Sequence, residues 1–109
     1  MRLYISGPMS GLPELNYPAF HKAARQLRKA GYEVVNPAET KLDCSGMNEQ
    51  QIWLAYMADA VSKLAACEGV ATLENWEHSK GANIEVDLGQ HGGLIIQTKK
   101  AWLACPHLA

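Results

Sequence analysis

Residues 3–37 read LYISGPMSGLPELNYPAFHKAARQLRKAGYEVVNP, and the hydrophobic period changes twice along them. LYISG, residues 3–7, is a short apolar run closed by glycine, the pattern of a buried strand. From Asn16 to Gly31 the period becomes helical. Phe20, Ala23, Ala24, Leu27 and Ala30 fall on one stripe, with Arg25, Arg28 and Lys29 on the other faces. Asn16 stands at the N-cap, Pro18 falls in the first turn and Gly31 supplies the stop. YEVVNP, residues 32–37, is a second strand ended by Pro37.

The alternation continues. AETKLDCSGMN is a loop of polar and turn-forming residues, and a helix is expected from about Glu49 to Ala66, with Trp53, Met57, Ala60, Val61 and Leu64 along one stripe. GVATL reads as a third strand, ENWEHSKG as a loop, Ala82 to Gln90 as a helix and GGLIIQ as a fourth strand. The last segment, TKKAWLACPHLA, suits a short helix or a docked tail. Strands alternating with helices imply a parallel sheet covered on both faces. The expected fold is a single α/β domain of three layers with four or five parallel strands, of the flavodoxin or Rossmann-like type.

Composition narrows the function. The 109 residues fit one domain, and 48% hydrophobic with 19% charged residues is ordinary globular usage. A net charge of -1 offers no basic field for a nucleic-acid polymer, although a small anion needs only a local site. Cys44, Cys67 and Cys105 are odd in number and form no CxxC pair, which argues against a disulfide framework or a thiolate zinc site. The histidines His21, His78, His91 and His107 lack metal-ligand spacing. No signal peptide or membrane span is visible, so a cytoplasmic setting and no membrane partner are expected.

Ligands of such sheets bind at the carboxyl ends of the strands, near the switch in strand order. The chain's long loops, SGPMSGLPELN, NPAETKLDCSGMN and ENWEHSKG, leave those ends. Gly7, Pro8, Met9, Ser10 and Gly11 form the first. Its glycines let backbone N–H groups approach an anion, or merely serve a strand-to-helix turn, and neither GxGxxG nor GxxxxGK is present. In HSKGANIEVDLG, residues 78–89, Ser79 is an expected N-cap, and the N–H groups after it attract phosphate or carboxylate. Lys80 adds a positive charge there.

Glu85 lies four residues beyond Gly81 and three beyond Ala82, on one face of the helix, where small neighbours leave room for a ligand. A carboxylate so placed suits attack on an anomeric carbon; the plainer reading is a solvated glutamate, which Asp87 is expected to be. Asp59 sits among apolar neighbours and is either a group that assists a leaving base, if burial raises its pKa, or a boundary residue. Tyr4 in the first strand is placed to hydrogen-bond Glu85 or to pack in the core. Trp76 offers a flat surface for a base or a cover for the core.

Taken in order, YISGPMSG at 4–11, NPAE at 36–39 and W-E-x-S-x-G-A-x-x-E at 76–85 resemble the nucleoside 2-deoxyribosyltransferase superfamily. Within it, the match is to small domains often encoded by phages or prophages. The resemblance covers roughly residues 1–97 and is more specific for the fold than for an activity. It implies one of two activities: exchange of bases on free 2-deoxyribonucleosides, or N-glycosidic hydrolysis of nucleoside 5′-monophosphates. In both, a glutamate matching Glu85 is the nucleophile, a tyrosine matching Tyr4 orients it, and an aspartate matching Asp59 assists at the base.

The residue six before the nucleophile separates the two kinds. Transferases resemble one another in an aspartate that accepts from a free 5′-hydroxyl, whereas the hydrolases place a serine. Ser79 therefore favours a phosphate. The chain departs from the hydrolases at Pro8, where they tend to carry a second phosphate-binding serine; Ser10 is the nearest substitute. The implied substrate-binding set is Gly7, Pro8, Met9, Ser10, Gly11, Trp76, Ser79 and Gly81. No metal or cofactor is implied. The implied partners are a small nucleotide or nucleoside and a second copy, as a homodimer or larger oligomer, in which Trp53, Trp102 and Met57 are available to bury. The alternatives are a module on the same fold that binds or sequesters a nucleotide without turnover, and a structural phage protein with a vestigial site.

Overall fold

A computed structural model describes residues 1–104; Cys105 and His107 lie outside the described residues. The strands are β1 (Arg2–Ser6), β2 (Glu33–Val35), β3 (Gly69–Thr72) and β4 (Ile95–Thr98). The helices are α1 (Tyr17–Lys29), α2 (Glu49–Leu64), α3 (Lys80–His91) and α4 (Lys99–Ala104). The described strands form one sheet in the order β2-β1-β3-β4, with every neighbouring pair parallel.

The period of two along β1 divides the core. Leu3 and Ile5 point to one face and pack with Phe20, Ala23, Ala24 and Leu27 of α1 and Trp102 of α4. Tyr4 points to the other, with Ala60 and Leu64 of α2 and Val86 of α3. This is the three-layer arrangement the alternation implied. β1, one of the two interior strands, carries a hydroxyl residue, Ser6, that is wholly buried.

α4 is anchored in the core by Trp102. Trp102 is 0% exposed, donates through Nε1 to the Val70 carbonyl across 2.9 Å, and meets the Tyr32 ring edge-on. Gly69 makes room for it: a Cβ there would stand 2.7 Å from the Trp102 ring. Trp102 is thus a core residue of its own chain, which corrects the expectation that it is available to an interface.

Other details differ from the sequence reading. Asn16 precedes α1 but does not cap it; it takes a left-handed φ of 59° and its Nδ2 donates to the Pro8 carbonyl across 2.9 Å. Ala30 is exposed rather than on the buried stripe, because α1 ends at Lys29. In α2 only Ala60 and Leu64 are buried. Val61 turns outward, and Trp53 and Met57 are half-buried. The start of α2 is secured by a reciprocal capping box between Asn48 and Gln51. α3 begins two residues before the expected start.

Candidate active site

From β1 the chain crosses to β2 at one side and returns to β3 at the other. The switch in strand order lies between β1 and β3, and the loops leaving their carboxyl ends part there. A cavity of about 770 Å³ opens above the switch. Its walls come from the loop after β1, the start of α1, one side of α2 and the first turns of α3, with Tyr4 and Glu85 also lining it. A smaller cavity of about 310 Å³ shares Ser10, Trp53, Ser79 and Gly81 with it and adds Pro8, His78 and Lys80.

Glu85 is 8% exposed, and both its carboxylate oxygens are held. The Tyr4 hydroxyl donates to Oε2 across 2.6 Å and the Ser6 hydroxyl to Oε1 across 2.7 Å. Burial pushes the Glu85 carboxyl above its ordinary range, and the two donors pull against that without cancelling it. Burial also raises the Tyr4 hydroxyl, reinforced by the charge of Glu85, so Tyr4 stays protonated and donating.

Ser6 was missed in the sequence reading. The signal was present: Tyr4 and Ser6 are two apart in a strand and share a face. A serine closing a buried apolar strand needs an acceptor, and Glu85 is that acceptor.

Asp59 lines the cavity, but it is not sealed off. Its side chain is 28% exposed and lies 2.8 Å from Lys63 Nζ. Lys63 also donates to Thr40 Oγ1 across 2.7 Å, which ties α2 to the loop after β2. In place of the burial expected from its apolar sequence neighbours, Asp59 is partly exposed and has a cationic partner one helical turn on.

Ser79 caps α3 as expected, accepting from the Ala82 N–H across 3.2 Å. Lys80 extends over the Trp53 ring, 4.6 Å from its centre. Gly81 permits the close passage of α2, since a Cβ there would stand 3.3 Å from Met57 Sδ. The loop glycines have separate reasons. Gly7 is buried, and its Cβ would lie 2.8 Å from Leu73 Cβ, so it serves close approach; Gly11 has φ +80° and serves the turn. Leu15, with a left-handed φ of 53°, is held at the cavity wall.

The expected set is therefore brought together with one exception. Gly7, Met9, Ser10, Gly11, Ser79 and Gly81 line the main cavity with Tyr4, Asp59 and Glu85, and Pro8 lines the smaller one. Trp76 instead packs against the core cluster of Tyr4 and Val86 and is absent from both linings. The aromatic lining of the main cavity comes instead from Tyr17, Phe20, Trp53 and Tyr56, with Tyr4 beneath. Asp87 is a surface carboxylate, its side chain 73% exposed beside His91.

These observations define a parallel α/β domain with a buried, doubly hydrogen-bonded carboxylate beneath a cleft at its switch point. The chain belongs to the family described as Domain of unknown function (DUF4406), whose model matches residues 1–98. That span contains all four described strands and every residue of the site. No curated protein matches the chain.

Proposed function

We propose that this domain cleaves or exchanges the N-glycosidic bond of a nucleoside 5′-monophosphate or a (deoxy)nucleoside, with Glu85 as nucleophile. The observation that carries the reading is the clamping of a buried carboxylate by Tyr4 and Ser6 at the wall of the main cavity. The resemblance to nucleoside 2-deoxyribosyltransferases, at Tyr4, Asp59, Ser79 and Glu85, supports it.

In the first step a Glu85 oxygen bonds the anomeric carbon as the bond from that carbon to the base nitrogen breaks. The electron pair leaves with the base, which takes up a proton from water. Asp59 and its partner Lys63, two of the polar groups on the α2 wall, serve the base. In the second step water, or another base, attacks the same carbon and frees the carboxylate. The 5′ group lies toward Ser79 and the first turn of α3, where backbone N–H groups and Lys80 favour an anion.

Incubation with a panel of nucleosides and their 5′-monophosphates, followed by chromatography of free base, tests the reading. Release of base is expected. Saturable binding without release would favour the nucleotide-binding module on the same fold.

Assembly as a dimer belongs to the same proposal. α2 leaves Leu54 55% exposed and α3 leaves Leu88 43% exposed, apolar surface that a second copy would cover. Light scattering at micromolar concentration should show at least a dimer, and a fully active monomer would reject this.

A further inference from the structure

Ser6 is 0% exposed at the end of an apolar strand, and its hydroxyl lies 2.7 Å from Glu85 Oε1. We propose that Ser6 is a positioning residue: with Tyr4 it fixes the rotation of the Glu85 carboxylate and holds it ionised where, among the described residues, no cation pairs with it. The consequence for turnover rests on the proposed function, but the effect on Glu85 does not.

The geometry is set by β1. Tyr4 and Ser6 face the α2–α3 layer, while Leu3 and Ile5 face the opposite layer. A carboxylate's terminal torsion is broad, so one donor leaves its plane free to turn. Two donors from one rigid strand, each on a different oxygen, define that plane. Each oxygen keeps a further lone pair for an electrophile in the cavity.

The charges around Glu85 leave this task to the hydroxyls. On α3 itself, Asp87 and His91 are exposed and paired with each other. From α2 come Asp59 and Lys63, also paired with each other. From β1 come Tyr4 and Ser6, with the Cys67 thiol near Tyr4. Among the described residues no cation forms an ion pair with Glu85. Packing alone has no need of a hydroxyl at position 6, because a buried hydroxyl without an acceptor is costly.

The test is a carbon-13 NMR titration of protein labelled at the glutamate side-chain carboxyl, with the Glu85 signal identified by its loss in Glu85→Gln. In Ser6→Ala the Glu85 midpoint should rise by about one to two pH units, the equivalent of one hydrogen bond to a charged group. Ser6→Cys, a near-isosteric but weaker donor, should fall between the two and carries the comparison if the alanine variant does not fold. The acid limb of kcat/KM should move by the same amount, with KM little changed. An unchanged midpoint in a folded variant overturns the proposal, even where base release is intact. A shifted midpoint in a protein that releases no base upholds it and removes only the activity.

Discussion

The Tyr4 hydroxyl donates to Glu85 Oε2 across 2.6 Å, joining residues that are 81 positions apart in the chain. The contact links β1, an interior strand, to α3 at the switch point. It also puts a charge where charge is costly, because burial outweighs the help of both hydroxyl donors and raises the Glu85 carboxyl above its ordinary value of 4.5.

That cost has a pH signature. A carboxyl whose folded pKa exceeds its unfolded value holds more protons in the folded state. Its contribution to stability is complete below the unfolded pKa and is lost as pH rises through the folded one. Glu85→Gln has no proton to lose. The unmodified protein should therefore lose stability relative to Glu85→Gln as pH climbs from about 4.5, the unfolded value, toward neutrality. Thermal melts of both proteins across that range check this, and a pH-independent difference would contradict it.

Ser79 offers a charge test that leaves the helix intact. Aspartate caps as well as serine, so Ser79→Asp should keep α3 while placing a negative charge beside the smaller cavity. A nucleoside 5′-monophosphate should then bind more weakly by about 1–3 kcal/mol, and the free nucleoside much less so. Titration calorimetry with both ligands decides it. Equal affinities for the two ligands in the unmodified protein would reduce Ser79 to a cap.

Gly7 is a steric requirement. In Gly7→Ala the new methyl would lie 2.8 Å from Leu73 Cβ, an atom fixed directly to the β3 end of the backbone. The substitution should cost about 1–3 kcal/mol as an overpacked core does, seen as a fall in Tm. An unchanged Tm would mean that the loop after β1 yields easily.

Much of this was legible in the sequence because it is periodic. The change from LYISG to the α1 stripe to YEVVNP is local, and parallel pairing follows from the crossover helix. Ser79 was legible because capping is local too. Trp102 and Trp53 were not. The first is decided by Gly69 and Val70, more than thirty residues away, and the second by a stripe that opens onto a cavity instead of the core. Asp59 had apolar sequence neighbours, but the helix turn that matters to it brings Lys63. Trp76 is drawn into the core cluster because the turn Trp76–His78 directs it there.

The central claim is that Glu85 attacks the sugar, and base release by Glu85→Gln tests it most directly. Glutamine keeps the shape and a carbonyl acceptor for one hydroxyl, but it is not a nucleophile. On the present account turnover falls on the order of 10³-fold or more, while the folded state and ligand affinity are retained. Base release by a folded Glu85→Gln protein at a rate near that of the unmodified one would contradict the account.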